Sequence, residues 1–195
     1  MANKADNKIR FGFKNVFYAK LTETEDGITY ETPKKWAGAK SLSLDASGET
    51  STFYADDMAY YTTSTSNGYS GTLEMAYLSD TVKKDIFNWV ESSDGMLLEV
   101  ASALPNDVAL IFECQGDLNA KRHLFYRCTF GRPSFEASTK EESVEPQTES
   151  LDITMTPVSV GDYDITKATA TKGTDAYTSI FTTAPKLPAV ATTGE

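Results

Sequence analysis

Histidine and cysteine are scarce in this sequence, which holds one histidine and two cysteines among 195 residues. Two cysteines are too few for a disulfide framework, and three soft ligands fall short of the four that a structural zinc site requires. A Ser-His-Asp triad would have to use His123, which lies beside Lys121 and Arg122 and not beside an orienting acid. The nucleophile-elbow, P-loop and dinucleotide-binding motifs are also missing. We therefore predict a protein that is not an enzyme and that uses no cofactor or metal.

Basic residues are the minority, with 18 Lys+Arg against 28 Asp+Glu and a formal net charge of −10. None lies between Lys40 and Lys83 or between Lys84 and Lys121. Affinity for phosphate backbones comes mainly from cationic side chains, so the net field of this chain does not attract nucleic acid. The long apolar run of a membrane span is missing too, and the polar N-terminus lacks a signal-peptide core. We expect a soluble, unexported, acidic globular protein.

The few basic residues are unevenly placed. Residues 1–40 carry eight bases and five acids, whereas residues 41–195 carry ten bases and 23 acids. One interpretation is that these charges lie on solvated loops and strand faces. The other is a protein that presents a basic end and an acidic body to copies of itself. The asymmetry alone does not choose between them.

Alternation of apolar and polar residues dominates the middle of the chain. One face of a strand is indicated by Leu73, Met75 and Tyr77, and the same pattern recurs further along the sequence. It predicts five strands, at Ser41–Ala46, Gly71–Leu78, Val108–Gln115, Leu124–Phe130 and Ser150–Thr156. Alternation of this kind is typical of an antiparallel sheet with one wet face. In the fourth strand it puts Leu124, Tyr126, Cys128 and Phe130 on one face.

One segment, Ser79–Glu91, has the periodicity of a helix. Its apolar residues Val82, Ile86, Trp89 and Val90 form a single stripe. Ser79 or Asp80 can cap the start, and Asp94-Gly95 supplies a stop. We expect this helix to pack its stripe on a β-sandwich.

The two cysteines are predicted to be reduced. A turn around Gly116–Lys121 would pair Cys114 with about residue 124 and Cys128 with about residue 110. The sulfurs would then lie roughly 13 Å apart along the sheet, too far for a disulfide. We interpret both as core residues, and His123 as a surface or turn residue at the loop end of this hairpin.

Two stretches of the sequence lack the pattern expected of the hydrophobic core. Residues 47–67 hold four aromatic residues around Asp56 and Asp57, and form a connection much longer than those usual between neighbouring strands. Exposed aromatic residues favour ordering against a partner. Gly161–Glu195 is rich in Thr and Ala and is predicted to be an extended arm or loose tail. Residues 136–149 form an acidic connector.

In the order of these segments and in their local sequences, the chain resembles the major tail proteins, or tail-tube proteins, of long-tailed bacteriophages, in the group common among phages of Gram-positive hosts. The likeness covers roughly residues 8–158 and rests on no catalytic signature. It is carried by Phe11-Gly12-Phe13-Lys14-Asn15-Val16-Phe17-Tyr18-Ala19, Leu42-Ser43-Leu44, Phe53-Tyr54-Ala55-Asp56-Asp57, Gly71-Thr72-Leu73-Glu74, the helix ending near Trp89, Leu110-Ile111-Phe112-Glu113 and Phe125-Tyr126-Arg127-Cys128-Thr129-Phe130.

The resemblance implies a mainly β fold: an antiparallel β-sandwich or partial barrel with one flanking α-helix, a long inter-strand loop and extended terminal arms. Residues 1–160 would form the tail-tube domain, with an arm at 1–17, a stacking loop at 47–67 and the helix at 79–91. Residues 161–195 would form a C-terminal arm or flexible tail.

The implied function is structural. Hexameric rings would stack into a hollow tube through which DNA passes as transient cargo, along an acidic wall that does not retain it. The partners would be other copies of the chain, with tape-measure, tail-terminator and baseplate proteins, and no membrane. The chain would lie in the virion tail, and in the host cytoplasm during assembly. The candidate self-assembly residues are Phe53, Tyr54, Asp56, Asp57, Tyr60, Tyr61, Phe11, Phe13 and Lys14.

Two rival hypotheses come from other classes. A β-sandwich carbohydrate-binding or adhesin-like module would stack Tyr54, Tyr60 and Tyr61 on sugars. A hydrolase with an unremarkable carboxylate pair is a distant third, because carboxylates are abundant and nothing singles out a pair.

Overall fold

The computed structural model describes residues 12–25, 27–55, 57–114, 120–134 and 147–189. Within them the elements, in chain order, are β1 (Phe13–Thr24), β2 (Gly27–Tyr30), β3 (Lys34–Lys35), β4 (Ala39–Ser47), β5 (Thr50–Ala55), β6 (Met58–Ser64), β7 (Gly68–Met75), α1 (Asp80–Phe87), β8 (Val90–Glu91), β9 (Leu97–Leu98), β10 (Val108–Cys114), β11 (Lys121–Phe130), β12 (Glu149–Met155), β13 (Val158–Val160), β14 (Tyr163–Ile165), β15 (Lys167–Thr171) and α2 (Asp175–Ser179).

One large antiparallel sheet organises the molecule. Its strand order is β2-β1-β10-β11-β12-β7-β4, with β15 added to β11 and β3 added to β1. The ends of this path approach each other through residues 36–38: the Trp36 amide donates to the Val16 carbonyl (2.8 Å), and the Ala76 amide donates to the Gly38 carbonyl (2.7 Å). The sheet therefore curls into a partial barrel. The predicted fold, mainly β and antiparallel with a flanking helix, is confirmed.

The five predicted strands correspond to β4, β7, β10, β11 and β12. Their alternation is clearest in β12, where Leu151, Ile153 and Met155 are buried between exposed Asp152 and Thr154. In β7 the prediction runs too far, since the strand ends at Met75 and the Tyr77 side chain is exposed.

A first hydrophobic core fills the inside of the curled sheet. Large side chains from five strands and α1 meet there with Trp36, which makes edge-to-face contacts with Tyr18 and Phe130. Glycine lets two strands approach closely at its rim, because a Cβ at Gly71 would collide with the Ser43 carbonyl oxygen. The interior is therefore closed by packing within the chain itself.

Helix α1 covers one side of this core but is shorter than predicted. The Ser79 hydroxyl accepts from the Val82 amide at its start, as expected. At its end Asn88 adopts a left-handed conformation (φ 56°), and its amide donates to the Lys83 carbonyl, which closes the helix at Phe87. Phe87 is buried in place of Val90, which is exposed. The prediction of a helix to Glu91 is wrong for this reason.

A three-residue contact fixes α1 to the sheet. The Tyr18 hydroxyl donates to the Asp85 carboxylate (2.7 Å), and the Lys34 ammonium lies at the same distance from that oxygen. Burial opposes ionisation of Asp85, but these hydrogen bonds and the Lys34 charge outweigh it, so the pKa of Asp85 lies below its ordinary value. The helix is thus held in one orientation by ionised partners.

A second core lies on the opposite face of β1, β10 and β11. Its buried residues are Ala19, Ala109, Ile111, Leu124, Tyr126 and Val158. Strand β10 is buried on both faces, from Val108 to Glu113, and therefore lacks the wet face that alternation predicted.

The cover of the second core comes from the C-terminal segment, residues 158–189. Ile165, Ala168, Ile180, Phe181 and Leu187 pack against it. Strand β15 adds to the sheet along the first half of β11, and Phe181 stacks on Phe17 with ring centroids 4.5 Å apart. The prediction of an arm or loose tail is wrong for 161–189, because these residues complete a core. Residues 190–195 lie outside the described residues.

A β-bulge in β11 explains why its side chains do not all face the side of the sheet that the sequence predicts. Leu110 pairs with Phe125 while Val108 pairs with Cys128, so β11 carries one extra residue there. Leu124 and Tyr126 consequently face the second core, whereas Cys128 and Phe130 face the first. The prediction that all four share a face is wrong.

Both cysteines are free, as predicted. Cys128 is fully buried opposite Val108, two residues from the expected partner position, and burial raises the pKa of its thiol. His123 was predicted to be a surface or turn residue; it lies within β11, half-buried, and stacks on Phe112 at 5.3 Å, so the turn alternative is wrong. Residues 136–146 of the acidic connector and residues 116–119 of the predicted turn lie outside the described residues, whereas Glu149 begins β12 and Lys121 begins β11.

Candidate functional site

The most exposed aromatic residues of the described chain lie on one hairpin, formed by β5 and β6. These strands pair with each other and stand apart from the large sheet. Phe53, Tyr54, Met58, Tyr60 and Tyr61 are between 63% and 78% exposed. A concentration of exposed apolar side chains on one element usually marks a site of interaction. The predicted long loop is therefore an ordered hairpin with an uncovered apolar surface.

The hairpin presents large side chains on both of its faces. Phe53 pairs with Tyr61, so their side chains share one face, and Tyr54 follows Phe53 on the other. A register shift between Phe53 and Tyr54 places an extra residue on β6 at this point. A single flat partner could cover only one of the two faces.

The base of the hairpin continues the ladder between β4 and β7. The ladder runs from Ala39 opposite Met75 to Ser47 opposite Gly68. Beyond it the Asn67 amide donates to the Ser47 carbonyl (2.7 Å) and the Thr65 amide to the Glu49 carbonyl (2.9 Å). The hairpin therefore extends the strand axis of the sheet at the Gly68 end of β7.

A polar surface covers the outer face of β4, β7 and β12. Its cross-strand rows are Ser41-Glu74-Ser150, Ser43-Thr72-Asp152 and Asp45-Ser70-Thr154. These rows hold hydroxyls and carboxylates and no Lys or Arg. Hydrogen bonds from Lys40 and Ser41 lower the pKa of Glu74 and favour its ionised form. We call these nine residues the polar wall.

Strand β4 carries three residues of the polar wall and lies at the end of the sheet path. Within the described residues it pairs with β7 alone, so its other side offers backbone donors and acceptors over much of a nine-residue strand. Sheet edges of this kind pair readily with strands of another chain. The edge and the hairpin are consecutive in the sequence.

Two of the predicted self-assembly residues lie in the body of the protein. Phe13 makes an edge-to-face contact with Phe112 (5.3 Å), and the Lys14 ammonium lies 3.5 Å from the Glu113 carboxylate. Both belong to β1, which pairs with β10 from Phe13 onward. The prediction of an arm is therefore wrong for residues 13–17. Phe11 and Asp56 lie outside the described residues, as do residues 1–10.

Asp57 lies at the tip of the hairpin, where the chain turns between β5 and β6. It has a left-handed backbone conformation (φ 59°) that suits Asp better than most residues, and its side chain is exposed. Asp57 thus joins Phe53, Tyr54, Tyr60 and Tyr61 on one projecting element. All five were predicted from the sequence as candidate self-assembly residues.

A buried ion pair beside the second core was missed. The Arg122 Nε lies 3.1 Å from the Glu113 carboxylate, and the Asn15 side-chain amide donates to the same group (2.6 Å). The Arg122 guanidinium also lies over the rings of Tyr177 (3.9 Å) and Phe181 (4.2 Å). It therefore ties α2 to the sheet. Alternation predicts an exposed Glu113, but Asn15, Lys14 and Arg122 bond to its carboxylate and it is buried.

Exposed apolar residues between α1 and β10 were missed as well. Val90, Met96, Leu98 and Leu104 are 44% to 80% exposed. A possible signal was Met96-Leu97-Leu98 directly after the Asp94-Gly95 turn, an apolar run with no alternation.

Metal binding has no candidate cluster in the described ranges. No group of three or more His, Cys, Asp and Glu side chains there could hold a metal ion. Among the same residues no helix is long and apolar enough to cross a membrane.

Comparison with known proteins adds no identification. No protein-family model matches this chain, and no curated protein matches it either.

Proposed function

We propose that this chain is a structural subunit that self-assembles into stacked rings and forms a tail tube for the passage of phage DNA. The observation that carries the proposal is the hairpin β5–β6. A chain that buries two cores on the two faces of one sheet leaves five large apolar side chains in solvent on a single element. Aromatic anchors contribute much of the energy of protein interfaces, so copies of the chain are suitable partners for this surface.

The polar wall suits the inside of a conduit. Its rows carry Asp45, Glu74 and Asp152 among serines and threonines. Carboxylates repel phosphates, and repulsion lets DNA slide where a basic groove would retain it. We place these strands on the channel side of the ring.

The edge of β4 supports ring closure. Strand pairing between neighbouring copies would satisfy the backbone groups of this edge and remove a site of uncontrolled aggregation. The ring number of six follows the resemblance alone, and the same holds for tape-measure, terminator and baseplate partners and for a place in the virion tail.

Carbohydrate binding is the second candidate, since Tyr54, Tyr60 and Tyr61 are exposed. Sugar rings stack on one aromatic face at a time. The hairpin carries Phe53 with Tyr61 on one face and Tyr54 on the other, so a glycan on one face would leave the other in water. Burial between protein copies covers both faces, and for this reason we favour self-assembly.

Negative-stain micrographs of the concentrated protein test the proposal. We expect rings or tubes from the intact chain, and a folded monomer from a variant in which Phe53–Tyr61 is replaced by a short Gly-Ser turn. Circular dichroism and thermal unfolding control for the fold of the variant. An intact chain that stays monomeric at every concentration and binds glycans would contradict the proposal, and so would normal tubes from the deletion variant.

A further inference from the structure

A cavity lies between the sheet and the C-terminal segment, where the cover of the second core does not close completely. It is partly open to solvent and has a volume of about 450 Å³. One wall is formed by β15 with Leu124 and Tyr126 of β11, and the other by α2 and residues 183–188. Voids in packed interiors are rarely larger than a water molecule, whereas small-molecule sites measure about 300–1,000 Å³. The cavity therefore has the size of a ligand site.

Small side chains on both walls create this space. Strand β15 contributes Ala168 and Ala170, whereas α2 and the chain beyond it contribute Ala176 and Ala184. Larger residues at these positions would fill the gap between the cover and the sheet. Together with Ile180 the alanines give the cavity a mainly apolar interior, which suits an aliphatic group of a ligand.

The outer wall of the cavity is held in place by contacts within the chain. The Arg122 guanidinium bonds to the Tyr177 carbonyl, and Phe181 packs against the second core. The Thr183 amide donates to the Ser179 carbonyl (2.8 Å), which fixes the chain where it leaves α2. The cavity is therefore preformed, and a preformed site lowers the entropic cost of binding a ligand.

The polar groups of the lining can donate hydrogen bonds and include no carboxylate. The one charged residue is Lys186, which is exposed and forms no ion pair with a carboxylate of the described ranges, in contrast to Lys34 and Lys84. Tyr126 is only 3% exposed, and its hydroxyl makes no hydrogen bond to a described residue. Burial raises the pKa of this phenol, so it stays a neutral donor. The lining thus favours a ligand that brings an acceptor and a negative charge.

We propose that this cavity binds a medium-chain fatty acid, with the aliphatic chain against the apolar walls and the carboxylate toward Lys186. Because Lys186 lines the cavity and is also exposed, it marks the open side, where a carboxylate can keep part of its hydration. The alanine-lined interior takes the chain out of water. Every group that the inference uses belongs to one copy, so it does not depend on self-assembly.

Isothermal titration calorimetry of the full chain with decanoate, decanol and decylammonium tests the inference, since these ligands share one chain length and differ in charge. We expect decanoate to bind at one site per chain, decanol roughly threefold more weakly and decylammonium roughly tenfold more weakly, because of attraction or repulsion by Lys186. Lys186→Gln should weaken decanoate about threefold and bring it level with decanol. Lys172→Gln, which changes an exposed lysine outside the lining, is the matched control and should bind like the intact chain.

A cavity-filling variant locates the ligand. Ala176→Phe introduces a ring from an exposed position of α2 that lines the cavity, and it should abolish decanoate binding, whereas Ala101→Phe, at an exposed position outside the lining, should not. Thermal unfolding checks that both variants fold. Absence of decanoate binding, equal affinity for the three ligands, or binding unchanged by Lys186→Gln and Ala176→Phe would overturn the inference. A strong gain in affinity on removal of residues 190–195 would also overturn it, since the end of the chain would then be the occupant.

Discussion

The hairpin β5–β6 and the C-terminal segment, residues 158–189, both lack the alternation of an ordinary strand, but the C-terminal segment packs on the sheet and the hairpin stays exposed. Phe181 of the C-terminal segment stacks on Phe17 and contacts Arg122, and it helps to complete a core. Tyr60 of the hairpin has no such cover and is 78% exposed. The difference lies in the partner surface: β10 needs a layer on each face, and the C-terminal segment supplies one of them, whereas no described part of the chain covers the hairpin.

Removing the C-terminal cover tests this difference most severely. Truncation of residues 174–195 would expose Leu124, Tyr126 and the apolar side of β10. We expect a loss of roughly 4 kcal/mol or more in the free energy of unfolding, comparable with the whole stability of many domains. Urea denaturation followed by tryptophan fluorescence measures it. A truncated chain as stable as the intact one would show that the segment is an arm after all.

Single aromatic substitutions sharpen the same comparison. Phe181→Ala should lower the free energy of unfolding by about 2–3 kcal/mol, because it removes the stacking on Phe17 and the contact with Arg122. Tyr60→Ala should change it by less than about 0.5 kcal/mol while it weakens assembly. Chemical denaturation and sedimentation separate the two effects. If both substitutions destabilised the fold equally, the C-terminal segment and the hairpin would not differ in their contribution to the stability of the fold.

The pH dependence of stability reports on the clasp between Glu113 and Arg122. Burial would raise the pKa of Glu113, but hydrogen bonds from Asn15 and Arg122 and the charges of Arg122 and Lys14 outweigh it and hold that pKa below its ordinary value of 4.5. The ionised carboxylate thus stabilises the fold above pH 4.5, and this contribution is lost as the pH falls through the lowered pKa.

Glu113→Gln should therefore cost about 1–3 kcal/mol at pH 7 and flatten the loss of stability below pH 4.5. Thermal unfolding across pH 3 to 7 measures this, with Asp152→Asn on the polar wall as a control for an exposed carboxylate outside the clasp. A Glu113→Gln profile parallel to that of the intact chain would argue against the clasp.

Much of the sheet could be predicted from the sequence, since β4, β7 and β12 alternate regularly and are covered on one face. The prediction failed where the second face was also covered. Ile111 became buried because of residues roughly 60 positions later in the chain, and Glu113 because Asn15 and Arg122 bond to it. No local pattern contains that information. The bulge in β11 likewise depends on its pairing with β10, and it reversed the faces of Cys128 and Phe130.

The candidate site was predicted in part. Phe53, Tyr54, Asp57, Tyr60 and Tyr61 cluster in a connection too long for a simple turn, and this signal is local. Phe13 and Lys14 were misplaced because pairing with β10, a non-local event, draws them into the sheet. The exposed apolar residues between α1 and β10 were missed because Met96 and Leu98 have the sequence character of core residues, and only the fold leaves them uncovered.

Hydrogen–deuterium exchange of the hairpin, measured in the monomer and in the assembled state, tests the central claim most directly. We predict that amides of residues 50–64 exchange at least tenfold more slowly after assembly, whereas those of the C-terminal segment, already packed on the sheet in the monomer, change little. Unchanged exchange in the hairpin of assembled material would contradict the account, since the uncovered aromatic residues would then have no role in self-assembly.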